Sequence, residues 1–210
     1  MTRARSLLVL SLALVPATFF SGGCSHNYQA VQLNLAAQGS GPVAVGVLDQ
    51  RPYIHAGGKS ADFVGVQHSL GGVPFDVHTG SGRPLADDWA ESIASSLRSR
   101  GFDARVVQTS NSMDHSTAAR ELGKAASRSV LVGVREWKVD AHFSGQLWYD
   151  IVAQVLGPDG KVLADRSVGG KDELKAEVNG ATGARDKSES AFKAKTEQLL
   201  NDPKIVDALR

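Results

Sequence analysis

Hydrophobic and polar positions alternate in two stretches of the chain, which is typical of strands with one buried face. In Pro42–Asp49 the valines recur at every second position and are separated by other residues, most of them small. In Gln146–Leu156 apolar residues take the alternate positions, whereas Gln146, Asp150 and Gln154 face the other side. Both stretches are therefore predicted to be strands that border a hydrophobic core.

A hydrophobic period of four residues predicts the clearest helix, over Pro84–Arg100. Its apolar stripe consists of Leu85, Trp89, Ile93 and Leu97. A proline at the start, acidic residues in the first turn and a glycine just after the end are further helix signals. This helix is expected to pack on a sheet through that stripe.

Weaker patterns predict the remaining elements. A second helix is expected at Thr117–Ala126, with Ser116 as its N-cap. Further strands are expected at Phe102–Gln108, Val130–Val139 and Lys161–Val168, and further helices at Asp186–Leu200 and from Pro203 onward. This order predicts an α+β fold, an α/β sandwich with a mixed, largely antiparallel sheet and helices packed on one face.

Residues 50–82 form a glycine-rich segment with seven glycines. Because structureless loops of this length are uncommon, two strands, Asp62–Gln67 and Val73–Thr79, are predicted in it as a hairpin. At its entry Asp49 and Arg51 are expected to pair with each other. We expect the segment to present apolar side chains to a partner on a mobile frame. These candidate partner-binding residues are Tyr53, Ile54, Phe63 and Phe75.

The first 23 residues have the pattern of an export signal, with a positive start and the apolar run Ser6–Phe20. That run of about 15 residues is too short to span a bilayer core comfortably. The chain's only cysteine, Cys24, follows directly, so we expect lipidation of Cys24, palmitate included, as in bacterial lipoproteins. The alternative is ordinary signal peptidase, since Ser21 and Gly23 also fit its pattern and cleavage would leave a free thiol. Ser25 favours delivery to the outer membrane.

The charge balance excludes one large class of partner. From the 23 basic and 22 acidic residues of the whole chain, the signal takes Arg3 and Arg5 and no acidic residue, so the mature chain has a formal charge of −1. A nearly neutral chain with interleaved charges argues against binding nucleic acid. The expected organisation is a lipidated tether at residues 24–41, reaching about 55 Å when extended, and a single α/β domain at residues 42–210.

Several features together resemble YajG-type bacterial envelope lipoproteins. They are the signal ending at a lone cysteine, the strand end Asp49–Arg51, the helix end Arg100–Phe102, the strand Leu147–Val155 and a last long helix ending in Leu199–Leu200. The resemblance implies a periplasmic lipoprotein without established enzymatic activity, and it carries over no catalytic residues.

Motifs that signal catalysis, such as GxSxG, HExxH, CxxC and SxxK followed by SDN or KTG, do not occur in the chain. His55, His68 and His78 lie in the glycine-rich segment, but their separations match no usual zinc spacing. We therefore expect no cofactor and no bound metal. The function predicted is that of a lipid-anchored periplasmic protein, not an enzyme, which scaffolds an envelope complex or binds an amphiphilic ligand. The alternative is a periplasmic hydrolase or metal-dependent enzyme with its site in residues 50–82.

Overall fold

Seven strands form one mixed sheet in the computed structural model, which describes residues 31–141, 145–174 and 183–210. The strands are β1 (Pro42–Asp49), β2 (Phe63–His68), β3 (Pro74–His78), β4 (Asp103–Val106), β5 (Arg128–Ala141), β6 (Gly145–Leu156) and β7 (Val162–Leu174), and the helices are α1 (Pro52–His55), α2 (Leu85–Ser99), α3 (His115–Ala125), α4 (Gly183–Leu200) and α5 (Pro203–Leu209). The predicted α+β class is confirmed.

The central strand β5 uses its two edges differently. Along one edge β6 pairs antiparallel with almost all of β5, and β7 pairs antiparallel with β6. Along the other edge β1 pairs in parallel with Arg128–Val134, and β2 pairs in parallel with only Val139–Ala141. Beyond them β4 lies beside β1, and β3 lies beside β2 as the predicted hairpin partner. We call β1 and β4 the lower half of this edge, and β2 and β3 the upper half.

The main core lies on one face of the sheet, under α2, α4 and α5. The predicted stripe of α2 is buried there, and Trp89 is packed edge-on against Trp137 of β5 and Phe192 of α4, with ring centroids 5.1 and 4.9 Å apart. Inward-facing residues of β6, including Leu147 and Ile151, complete this core. The alternation read from the sequence therefore identified the buried faces correctly.

The helix α3 packs on the opposite face of the sheet, so the helices are not confined to one face as predicted. It forms a smaller core in which Leu122 contacts the face of Ala44 and Leu48, the residues that alternate with the valines of β1. β1 is thus buried on both faces, which suits a strand with parallel neighbours on both edges. The N-cap of α3 is Asp114, whose side chain accepts a hydrogen bond from the Thr117 N–H, and not Ser116 as predicted.

The predicted tether is too long at its C-terminal end, because residues 31–37 pack on the domain. Leu33 and Leu35 are buried in the main core. The Val31 and Leu33 N–H groups donate to the hydroxyls of Ser92 and Ser96 on α2, at 3.1 and 2.9 Å. The serine hydroxyls of α2 thus accept the backbone hydrogen bonds that a neighbouring strand would otherwise accept from this extended segment.

Predictions for the signal peptide and for Cys24 concern residues outside the described ranges. Within those ranges, none of the helices combines the length and the apolar character that crossing a bilayer requires.

Candidate functional site

A buried ion pair stands where β1 ends. The guanidinium of Arg51 donates through Nη2 to Asp49 Oδ2 at 2.7 Å and through Nε to Asp49 Oδ1 at 2.9 Å, a two-pronged pairing. The Arg51 side chain is 0% exposed. The pairing expected from the sequence is therefore present, and it is deep in the protein instead of at a loop surface.

The same guanidinium closes the gap between β1 and β2 along β5. Arg51 Nη1 donates to the carbonyl oxygens of Phe63 at 2.6 Å and Trp137 at 3.4 Å, and Nη2 donates to that of Ala61 at 3.2 Å. Between Val134, the last partner of β1, and Val139, the first partner of β2, these bonds replace missing strand pairing. We call this region the seam of the sheet.

Tyr53 of α1 also forms hydrogen bonds at the seam. Its hydroxyl lies 2.7 Å from Glu136 Oε1 and 2.9 Å from the Trp137 carbonyl oxygen. Burial and the hydrogen bond with Glu136 raise the pKa of Tyr53, so the phenol stays protonated. Burial lowers the pKa of Arg51, but the bonds to Asp49 outweigh it and the net shift is upward. Both groups therefore hold their protons and act as fixed hydrogen-bond donors.

A pocket of about 210 Å³ opens above the seam on the side of α2 and α4. Its floor is apolar, with Trp137, Phe192 and Val64 among the residues that form it. The full lining is Val31, Val64, His78, Thr79, Gly80, Leu85, Asp88, Trp137, Ser188, Glu189 and Phe192. An apolar floor with a few polar groups at the rim is the usual composition of a ligand site, although the volume is below the usual range.

The polar groups of the rim are held by neighbours. Asp88 accepts hydrogen bonds from Ser81 Oγ at 2.6 Å and from Arg83 at 2.7 and 3.1 Å. Ser188 Oγ accepts from the indole N–H of Trp137 at 3.3 Å. Because Arg83 pairs with Asp88, the preference of the mouth for a neutral or positively charged head group over an anion depends on Glu189.

Three residues of catalytic type meet beside the pocket, in an unproductive arrangement. Ser60 Oγ donates to Asp62 Oδ1 at 2.5 Å, and His78 Nδ1 lies 3.1 Å from the same carboxyl oxygen. Burial raises the pKa of Asp62, but Ser60 and His78 outweigh it and the net shift is downward. Ser60 Oγ approaches the same imidazole nitrogen, Nδ1, at 3.5 Å. A relay needs serine and carboxylate on opposite ring nitrogens, so His78 is not placed to pass a proton between them.

The four predicted partner-binding residues do not share one surface. Ile54 and Phe63 are 7% and 1% exposed, so they belong to the interior and are not presented to a partner. Tyr53 is half-buried at the seam. Phe75 on β3 is 57% exposed. Phe63 is buried because β2 is an internal strand of the sheet, between β3 and β5, and Ile54 is buried on the short helix α1.

The three histidines of the glycine-rich segment are held separately. His55 contacts the Asp49 carbonyl oxygen, His68 pairs with Asp140, and His78 pairs with Asp62. No group of three or more metal-ligating side chains occurs among the residues that the structure describes.

The sequence pattern did not predict the pocket, although α2 contains a signal for it. Asp88, Ser92 and Ser96 recur every four residues beside the apolar stripe. Polar residues on the buried side of a helix need buried partners, and here those partners are the pocket rim and the segment 31–37. The contribution of α4 to the pocket depends on contacts between residues far apart in the sequence, which no local pattern shows.

Neither the family models nor the curated proteins contain a match to this chain. Among solved structures, protein XCC0632 from Xanthomonas campestris, of family DUF330, is 18% identical and has a TM-score of 0.51, with 85% of this chain and 93% of that chain covered. A PelC dodecamer from Paraburkholderia phytofirmans is 16% identical, with a TM-score of 0.43 and coverages of 83% and 92%. Lipoprotein GNA1162 from Neisseria meningitidis is 13% identical, with a TM-score of 0.34 and coverages of 76% and 98%. The likeness to XCC0632 shows a shared fold, and at this identity it shows the fold alone.

Proposed function

We propose that this chain is a lipid-anchored envelope protein of YajG type that faces the periplasm from the outer membrane and acts by binding. The observation that carries the binding role is the pocket above the seam, with the apolar side chains of Trp137 and Phe192 in its lining and Glu189 beside them. The lipid anchor is supported by the signal pattern that ends at Cys24. Packing of Leu33 and Leu35 in the main core favours a folded domain that includes residues 31–37.

Binding is favoured over catalysis by the state of the polar groups. Arg51 and Tyr53 donate their hydrogen bonds to carboxylates and carbonyl oxygens of the seam. Beside the pocket, Ser60 and Asp62 both approach the same ring nitrogen of His78. A hydrolase needs a nucleophile with a base in reach of it. The described part of the pocket offers a receptor for an apolar group with a neutral or cationic head.

Ligand binding is tested with two brominated probes of equal chain length, bromodecanol and bromodecanoate. Bromine quenches tryptophan fluorescence on contact, and Trp137 forms part of the pocket floor. We expect saturable quenching by the alcohol and weaker binding of the carboxylate, because Glu189 in the pocket lining repels an anion. Thr79→Phe, which adds bulk at the mouth, should weaken binding by about tenfold or more, whereas Ser167→Phe on the exposed face of β7 should not. Quenching that does not saturate, or that Thr79→Phe leaves unchanged, rules out the pocket as the site.

The anchor is tested by Cys24→Ala. We expect the variant to move to the soluble periplasmic fraction, because acyl chains contribute about 0.8 kcal/mol per buried methylene group and their loss leaves only weaker contacts. Mass spectrometry of the wild-type mature protein provides the matching measurement. An unmodified Cys24 thiol would contradict the proposal.

A further inference from the structure

Apolar side chains gather at the tip of the β2–β3 hairpin. Leu70 is 95% exposed, and Val73 and Phe75 are each more than half exposed. The other large exposed hydrophobic side chains of the described ranges, Val162 and Leu163, lie at the opposite end of the sheet, where β7 begins. Single exposed apolar residues are ordinary, but three at one tip form a patch that suits an apolar environment.

The tip is a built structure that holds its side chains outward. The Ser69 N–H donates to the Val73 carbonyl oxygen and the Gly72 N–H to that of Ser69, both at 2.9 Å. Gly72 has a φ of +81°, which the tight turn requires and other residues rarely adopt. His68 ties the turn to β5, with one ring nitrogen 3.2 Å from the Gly72 carbonyl oxygen and the other 3.0 Å from Asp140. These hydrogen bonds fix the turn in which the exposed side chain of Leu70 points away from the domain.

Traced toward the N-terminus, the first described residues of the chain run along α2 in the direction of the upper half. Residues 31–37 run beside α2, from Ser92 at Val31 to Arg100 at Ala37. α2 begins next to Ala61, just before β2, and ends close to the start of β4 in the lower half. Followed backward, the segment thus leads from the lower half toward the upper half, and Val31 lines the pocket together with Thr79, which directly follows β3.

The distances place the tip within reach of an anchored membrane. Seven Cα-to-Cα steps of about 3.4 Å each lead from Cys24 to Val31, so the tether between them spans at most about 24 Å. β2 rises about 17 Å from Phe63 to His68 at strand spacing, which is less than the longest reach of the tether. Between Gln67 and Phe75 the sequence contains no acidic residue, so anionic lipid head groups meet no like charge in this stretch.

We infer that the hairpin tip, Ser69–Phe75, enters the interfacial region of the bilayer that holds the Cys24 anchor. This inference rests on the proposed lipidation. The lipid anchor and the hairpin tip then form two membrane contacts at one end of the molecule. The apolar contact at the tip adds to the attachment that the acyl chains provide and orients the domain on the membrane.

The test uses residues 25–210 with a hexahistidine tag in place of Cys24, bound to vesicles of phosphatidylethanolamine and phosphatidylglycerol that carry a nickel-chelating lipid. The tag reproduces the anchor whether or not cells lipidate Cys24, so failure of the two proposals can be told apart. Because Cys24 is the only cysteine, Leu70→Cys and the control Val162→Cys each accept one environment-sensitive fluorophore. We expect doxyl-labelled phospholipid to quench the label at residue 70 and to leave the label at residue 162 unquenched.

Side-chain dependence is tested with a label at Val73→Cys. The double variant Leu70→Ser and Phe75→Ser should lower the fraction of label in contact with lipid, measured by doxyl quenching, by about tenfold per substitution. The control variant Val162→Ser and Leu163→Ser should leave that fraction unchanged. Equal quenching at residues 70 and 162, or no quenching at residue 70, overturns the inference. A blue shift at residue 70 without vesicles that grows with protein concentration also overturns it, because a second copy of the chain then covers the tip.

Discussion

The two halves of the sheet edge along β5 differ in how they are held. In the lower half, β1 pairs with β5 from Val43 to Asp49 and is buried on both faces, between α2 and α3. In the upper half, β2 pairs with β5 only from Gly65 to Gln67, and β3 is an edge strand with exposed side chains. The lower half is stabilised by apolar burial along a continuous ladder, whereas the upper half depends on the polar bonds at the seam.

This difference favours a binding role for the upper half and a supporting role for the lower half. Regions with few buried apolar contacts open at lower free energy than the core, and binding surfaces are often taken from them. The pocket mouth and the apolar tip both belong to the upper half. The lower half, with α2 and α3 on its two faces, provides the rigid support against which they are positioned.

The largest effect is expected from removing the seam's cation. Arg51→Met leaves the Asp49 carboxylate buried without its partner, which typically costs about 3 to 5 kcal/mol of unfolding free energy. The carbonyl oxygens of Ala61, Phe63 and Trp137 also lose a donor, so we expect the upper end of that range. Urea unfolding measures the change.

A double variant separates the two causes. Asp49→Leu together with Arg51→Met removes the unpaired carboxylate and should recover part of the loss, but not the bonds to the carbonyl oxygens. If the unfolding free energy of Arg51→Met lay within about 1 kcal/mol of the wild-type value, the seam would not be the main support of the upper half.

The next largest effect concerns the core beneath both halves. Trp89→Ala should cost about 3 to 5 kcal/mol because a large, fully buried side chain is lost against Trp137 and Phe192. Trp89→Phe is the graded variant, since the Trp89 indole N–H has no hydrogen-bond partner within the described residues. Trp137→Phe also loses the bond to Ser188, so we expect it to cost more than Trp89→Phe. The opposite order in thermal or urea unfolding would show that packing alone sets both costs.

A smaller effect, confined to the upper half, is expected from Gly65→Ala. A Cβ at Gly65 would lie 2.2 Å from the Val139 carbonyl oxygen, so β2 must move away from β5, at a cost of about 1 to 3 kcal/mol. Hydrogen exchange should show loss of amide protection in β2 and β3 and unchanged protection in β1. Gly71→Ala in the turn, where a Cβ meets only Ser69 Oγ at 3.8 Å, is the matched control. Equal loss of protection in β1 would mean that the two halves open as one unit.

The smallest effect is expected at α3, on the outer face of the lower half. Hydrogen bonds from Ser116 and the Thr117 N–H lower the pKa of Asp114 to about 2. A lowered carboxyl pKa stabilises the fold above the unfolded value near 3.9, and this contribution is lost as the pH falls toward about 2. Asp114→Asn keeps a capping oxygen without the charge. The melting temperature of the wild type should therefore exceed that of the variant at neutral pH, and the gap should close in acid; a constant gap would exclude titration of Asp114 as its cause.

The local pattern of the sequence determined most of the elements. The four-residue period of Leu85 to Leu97 and the alternation in β1 and β6 reflect burial of one face, so they predicted α2, both strands and their inward residues. The hairpin of β2 and β3 was also predicted, because glycines mark its turn. These features depend on neighbouring residues, which a single sequence displays directly.

Tertiary structure decided where those elements meet. The assignment of Phe63 to the interior, the attachment of residues 31–37 to α2, and the joining of Asp88 with Phe192 in one pocket all depend on contacts between distant parts of the chain. The seam is the clearest case: Asp49 and Arg51 are two residues apart, so their pairing could be predicted locally. Their role in bridging β1 and β2 could not, because it exists only where β5 brings Trp137 to the same place as Phe63.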